Sequence, residues 1–317
     1  MDDATEIVAL LNADAQIFAQ ETLFSVSEYR VDLQNPLLDL AQHTRLIRTA
    51  NGAVAALAEL HQRPPWVRPF LWIRVAPEQR GRGLGAWLMA WGIAIARTTL
   101  HQAPPDTRVS LGANTIAGNQ AAERLFALFG MTHVRSFLQM RIDMEASPPA
   151  PVWPAGIRVR TFHLHNDDVA LFTAQEEAFT DHWGHVPRPF KEDFPLWRDR
   201  LHSDPLLDPT LYFLAMDGDE IAGFSLCLAP VPGELQAGWV SQLGVRRPWR
   251  RRGLGQALLL HSFSEFHRRG VATVGLGVDA ESLTGATRLY ERAGMWIQHT
   301  TDVYEMELRP GTNTSTT

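Results

Sequence analysis

The sequence holds one cysteine, Cys227, so no disulfide can form within the chain and a reducing cytoplasm is the expected location. It has no apolar run approaching the roughly eighteen residues that a membrane span needs, so no membrane partner is expected. The opening MDDATEIVALL is acidic and lacks the basic-then-apolar layout of a secretory signal. Positive charge is also in short supply: the net charge is −6 and the pI near 6.1, which argues against an extended nucleic-acid surface. What remains is an ordinary globular mixture, 45% hydrophobic and 20% charged, in 317 residues, a length that most naturally makes two domains.

Proline marks the boundary between them. Ser147–Gly156 carries four prolines, which fix φ and remove amide donors, so this stretch is expected to be an extended linker. After it, alternation predicts strands over 157–162, 212–216, 221–228, 239–245, 274–278 and 304–308. Helical spacing predicts helices over 168–179, 256–269 and 284–292. The first half repeats the order, with strands over 46–48, 54–60, 71–75, 109–111 and 137–142 and helices over 86–97 and 121–129, preceded by a helix at 6–11. Matched signposts (Val75 and Val245, Gly83 and Gly253, Gly85 and Gly255, Gly130 and Gly294) point to internal duplication. The resulting domains are 1–146, a linker at 147–156, 157–310, and a frayed tail at 311–317.

The most informative repeat is RGRGLG at 80–85 and RRRGLG at 250–255, each between a strand and a helix. Glycines there let backbone approach an anion, and a helix N-terminus offers unpaired N–H donors, so the layout suits a pyrophosphate. A Rossmann loop needs a further leading glycine that the second copy lacks, and a Walker loop needs Gly-Lys-Ser/Thr, absent from both.

Both halves resemble the GNAT superfamily of acyl-CoA-dependent N-acyltransferases. The resemblance rests on V75APEQRGRGLG85 and V245RRPWRRRGLG255, and on A286TRLYERAGM295 with the looser A122ERLFALFGM131. The tandem layout is similar to that of mycothiol synthase-like two-domain acetyltransferases, in which the C-terminal domain is the active one. The resemblance implies an α+β fold of two GNAT-like domains. Each is expected to hold a mixed, mostly antiparallel sheet with a splayed parallel pair and flanking helices. It implies acetyl-CoA as co-substrate, with the backbone of Leu243, Gly244 and Val245 pairing with the pantetheine arm. Arg250, Arg251, Arg252, Gly253, Leu254, Gly255 and Gln256 would hold the pyrophosphate, and Arg246 or Arg247 is placed to meet the 3′-phosphate, although a solvated surface role suits either equally.

Tyr290 occupies the family's general-acid position. Phe126 stands at the matching place in the first half and has no proton to give, which marks that half as a degenerate or structural copy. Relatives place a glutamate six residues ahead of the loop valine, where this chain has Trp239 and, in the first half, Pro69. These departures count against an acceptor identical to the mycothiol precursor. The base is instead sought in Gln175–His185, as Glu176, Asp181 or His182 acting through water. His182 and His185 lack a third ligand, so no metal is expected. Trp183, Trp239 and Tyr212 serve equally as pocket wall or core. The expected function is acetyl transfer from acetyl-CoA to a primary amine of a small molecule by a monomeric pseudo-dimer. Two alternatives stand beside it: a non-catalytic acyl-CoA-binding scaffold, and a protein acetyltransferase acting on N-termini or lysines.

Overall fold

The computed structural model describes residues 3–35, 37–282 and 285–316. One compact unit runs to Phe137 and takes in His299–Thr314; the other holds Leu138–Gln298 and reaches Ser315. The boundary between sequence repeats is therefore not the boundary between units.

The first unit opens with helices α1 (Asp3–Phe18), α2 (Val26–Asp32) and α3 (Leu40–His43). Strands β1 (Thr44–Arg48), β2 (Val54–His61) and β3 (Phe70–Val75) follow as an antiparallel series. Helix α4 (Leu84–Thr98) leads to β4 (Val109–Ile116), then α5 (Gln120–Leu128) and β5 (Thr132–Asp143). Strand β4 runs parallel to β3 but pairs with it only at Phe70↔Gly112 and Leu71↔Ala113. Beyond those residues the two strands diverge.

The second unit contains β6 (Ile157–Thr161), α6 (Asp168–Phe179), α7 (Phe190–Ser203), β7 (Tyr212–Asp217), β8 (Glu220–Leu228) and β9 (Gly238–Val245). Helix α8 (Leu254–Arg268), β10 (Thr273–Asp279) and α9 (Ala286–Arg292) follow; the last strand, β11 (Trp296–Arg309), belongs from His299 onward to the first unit. Strands β6 to β9 form an antiparallel run, and β10 lies parallel to β9 only at 238–240 against 274–276. Each unit thus has the expected mixed sheet and splayed parallel pair. The expected first residue of the last helix, Thr284, lies outside the described residues.

The closing strand of each sheet comes from the other sequence repeat. In the first unit the order is β1-β2-β3-β4-β11, with β11 antiparallel to β4 from Thr301↔Ile116 to Arg309↔Val109. In the second the order is β5-β10-β9-β8-β7-β6.

Two expected loose segments are tied down. Trp153, in the proline-rich stretch, meets the His261 ring at 5.7 Å and packs on the second unit's core. The tail is not frayed throughout. In the first unit Thr312 donates to Asp106 O at 2.7 Å and accepts from Arg108 N at 2.9 Å. In the second, Thr316 N donates to His185 O at 2.9 Å, and Gly184 N donates to Thr316 O at 2.7 Å. Paired backbone amides, rather than apolar side chains, hold this tail, which is why its composition gave no sign of order.

Candidate active site

Where β9 leaves β10, one strand edge is left open. Arg246 N donates to Ala222 O on β8 at 3.0 Å. Strand alternation then turns Gly244 toward β8 as well, and points the amides of Leu243 and Val245 toward the side that β10 has vacated. An extended amide-bearing chain can add to that edge as a further strand.

The loop beyond Val245 turns on two positive-φ residues. Gly253, at φ +83°, caps α8, and the first bonded helix amide is Ala257 N, donating to Gly253 O at 3.1 Å. The amides of Leu254, Gly255 and Gln256 therefore precede the helical ladder and make a ready anion site at the positive end of the dipole. The first copy matches it, with Gly83 at φ +82° and Trp87 N donating to Gly83 O at 3.0 Å. The last glycine of each motif serves packing instead. A Cβ at Gly255 would meet Leu289 at 3.2 Å and Val245 at 3.7 Å; one at Gly85 would meet Leu125 at 3.1 Å and Val75 at 3.8 Å. This contact explains why the strand valine, the loop glycine and the leucine of the later motif recur together.

The other positive-φ position separates the copies. Gly81 adopts φ +75°, whereas its counterpart Arg251 adopts φ +60°, a region costly for a side-chain-bearing residue. Arg251 and Arg252 are exposed and make no ion pair among the described residues. Arg251→Gly is expected to raise stability by about 0.5 kcal/mol, since relief of the roughly 1 kcal/mol strain is partly offset by glycine's unfolded-state entropy. The same change removes a cation from the loop and should weaken binding of a pyrophosphate-bearing ligand there roughly two- to fivefold, as expected for a screened ion pair. Thermal unfolding together with ligand titration checks both signs, and a fall in both quantities would overturn the reading.

Arg250 does not face the loop interior. It donates to Asp181 Oδ2 at 2.9 Å, Ala178 O at 3.0 Å and Val245 O at 3.1 Å, locking the end of α6 to the strand. Arg80 pairs in the same way with Asp14 of α1. Arg247 also pairs with Asp181, whose carboxyl is drawn down to about 2 by the hydrogen bonds from Arg247 and Arg250. A carboxylate held that low is a poor proton acceptor at neutral pH. Arg246 is occupied by Glu177 at 2.6 Å and Glu220 at 3.2 Å.

Tyr290, on α9, is 7% exposed within the core cluster that also receives Leu243, Val245 and Leu289. Burial pushes its phenol up to about 12, so it remains protonated at any working pH. The first-unit counterpart Phe126 is equally buried, its ring 5.0 Å from that of Tyr304.

Glu176 reaches His185 at 4.0 Å. His182 is exposed and rests edge-on against Phe179 at 4.7 Å; partial desolvation on that side lowers its pKa from the ordinary imidazole value, with Asp279 opposing the shift and Arg250 reinforcing it. Sequence reasoning missed Gln175 and Gln242 as a pair. Gln175 is 7% exposed and donates from Nε2 to Gln242 Oε1 at 2.6 Å, while its own buried Oε1 has no partner among the described residues. An orphaned buried amide oxygen is costly unless a ligand or water serves it. Trp239 and Tyr212 serve packing: the Trp239 ring lies over Gly275, and Tyr212 is buried in the core that packs on α6. Cys227 is fully buried, with its thiol pushed up to about 11 by desolvation, and is no nucleophile.

A splayed parallel pair that feeds a glycine-capped helix in each of two units, with a buried phenol beside one of them, defines a tandem acyl-CoA-dependent acyltransferase. The chain belongs to the acetyltransferase (GNAT) family, whose profile matches residues 10–131 and 169–295, and it is an N-acetyltransferase that uses acetyl-CoA. It is 31% identical over 305 residues to the mycothiol acetyltransferase of Streptomyces scabiei, covering 95% of this chain and 91% of that one. Among solved structures, a GCN5-related N-acetyltransferase from Sphaerobacter thermophilus superposes with a TM-score of 0.83 at 38% identity, covering 99% and 96% of the two chains. A tandem GNAT protein from the clavulanic acid biosynthesis pathway shares the fold, with a TM-score of 0.72 at 15% identity over 97% and 95%. No described helix is long and apolar enough to cross a membrane.

Proposed function

We propose that the second unit acetylates a primary amine of a small molecule, and that the first unit has no transfer activity of its own. The observation that carries this reading is the contrast between Tyr290 and Phe126 at matched, buried positions. In the proposed reaction the neutral amine nitrogen attacks the thioester carbonyl, the C–N bond forms and the C–S bond breaks; Tyr290 gives its proton to the departing thiolate, and the N–H proton that the new amide sheds returns through water to the Tyr290 phenolate. The backbone of 250–256 holds the pyrophosphate, and the open edge at Leu243 and Val245 takes the pantetheine arm.

The ammonium proton must leave first. Trp239 stands where the resemblance places a glutamate, so the base comes from the C-terminal end of α6 and the residues after it, as His182 or Glu176 acting through water. The lowered pKa of His182 favours it, because it is neutral at pH 7 and has a free lone pair. A small acceptor is supported by the mycothiol acetyltransferase relatives. The orphaned Gln175 oxygen supplies a hydrogen-bond acceptor for the incoming amine.

The test is thiol release from acetyl-CoA across a panel of small amines, with products identified by mass. Turnover should show an acid limb below pH 6.5 that His182→Gln removes. Acetyl-CoA binding with no turnover on any amine would favour the scaffold reading. Acetylation confined to peptides would favour the protein acetyltransferase.

A further inference from the structure

Among the described residues, one group of side chains converges as a metal site does, and it is not the His182 and His185 pair. His165, Asp168 and His202 each bring a ligand atom to within 4.8 Å of the others. His165 precedes α6, Asp168 opens it, and His202 lies in the last turn of α7, so two segments far apart in sequence meet here. The carboxylate is 5% exposed and His202 is 22% exposed. Asp168 Oδ2 lies 2.7 Å from His202 Nε2, and Asp168 Oδ1 accepts from His165 N at 3.0 Å. The two imidazoles stand edge to face, with centroids 4.4 Å apart and planes at 89°. Neighbouring Asp167 is committed to Arg160, at 2.5 and 2.8 Å, and is not a competing ligand.

We propose that His165, Asp168 and His202 bind one divalent transition-metal ion of the zinc class, fastening the start of α6 to the end of α7. Two imidazole nitrogens and one carboxylate oxygen suit zinc, cobalt or nickel far better than calcium or magnesium, which take oxygen cages. Bonds of about 2.0–2.2 Å place tetrahedral ligand atoms roughly 3–3.5 Å apart, so the 2.7 Å Asp168–His202 contact must open, the ion replacing its proton, while His165 closes from its present distance. The exposed His165 ring can do that by a small rotation. Three protein ligands leave one coordination position to water. The ion fixes the helix that carries Gln175 and Glu176, and it stands outside the transfer chemistry.

The experiment uses the full chain, stripped with EDTA and dialysed. Zinc is titrated by calorimetry, cobalt by its visible d–d bands, and thermal unfolding is followed with and without zinc. The expected result is one ion per chain and a raised Tm. His165→Ala should weaken binding at least about tenfold, as for loss of a ligand contact, and abolish the zinc-dependent rise in Tm. That variant keeps the Asp168–His202 hydrogen bond, so circular dichroism should be unchanged without metal. A combined His182→Ala and His185→Ala variant should bind zinc as the parent does. Absence of saturable binding at millimolar metal, equal affinity in His165→Ala, or loss confined to the His182 and His185 variant would each overturn the proposal.

Discussion

Tyr290→Phe is expected to lower kcat by about 10²–10³-fold, the usual contribution of a positioned general acid, while the KM for acetyl-CoA stays within about threefold. The fold itself argues that packing will survive, because Phe126 fills the corresponding place in the first unit with 4% exposure against 7% for Tyr290. What the variant loses is one proton donor in a desolvated site. The phenol lies high, at about 12, because burial penalises its anion. It is therefore present as the acid throughout the working range, and the rate should show no alkaline limb from this group below about pH 11. The sign for stability follows. A folded pKa above the unfolded 10.0 means that the native state holds the proton more tightly, so this contribution is full below pH 10 and is lost as pH rises toward 12. Steady-state kinetics of parent and variant across pH check both statements. An unchanged kcat in Tyr290→Phe would remove the residue from the mechanism and, with it, the reason for assigning chemistry to the second unit.

Much of the fold was legible because short-range rules govern it. The spacing predicts a helix over 168–179, and α6 has those bounds. The helix predicted from 256 starts at Leu254, since Gly253 at φ +83° lets the chain turn directly into it. Two strands outrun their alternation: β4, buried on both faces, reaches Ile116 rather than 111, and β11, half-buried along most of its length, covers Trp296–Arg309 rather than 304–308. Helix α7 escaped notice because Pro195 lies inside it. Tertiary packing overrides that proline: the Phe190 and Phe194 rings stack at 4.9 Å, and Phe172 meets both rings and Trp197 at 5.5 Å. The loop motifs were legible for the same local reason, being one turn and one helix start. The pairing of Arg250 with Asp181, the Gln175–Gln242 contact and the His165–Asp168–His202 cluster were not, because each joins residues whose separation in sequence carries no period.

Gly253→Pro should abolish acetyl-CoA binding in the second unit, with affinity falling at least about 100-fold. Proline fixes φ near −65° where the loop requires +83°, and it removes one of the amides at the helix entrance. The substitution strikes the cradle more than the core, since a Cβ at Gly253 would meet nothing within 4 Å. Gly253→Ala separates geometry from bulk: it adds a methyl to open space, and its left-handed backbone cost of about 1 kcal/mol falls on stability, so binding should be kept within about twofold rather than vanish. Counting ligands by native mass spectrometry turns this into a test of the tandem arrangement. One acetyl-CoA per parent chain, lost in Gly253→Pro and kept in Gly83→Pro, places binding in the second unit alone. Two per parent chain, each lost with its own glycine, gives the first unit a working cradle and confines its deficit to the missing phenol at Phe126. A parent chain that binds one ligand and keeps it in Gly253→Pro would overturn the assignment, because the second loop would then be a shape inherited without its ligand.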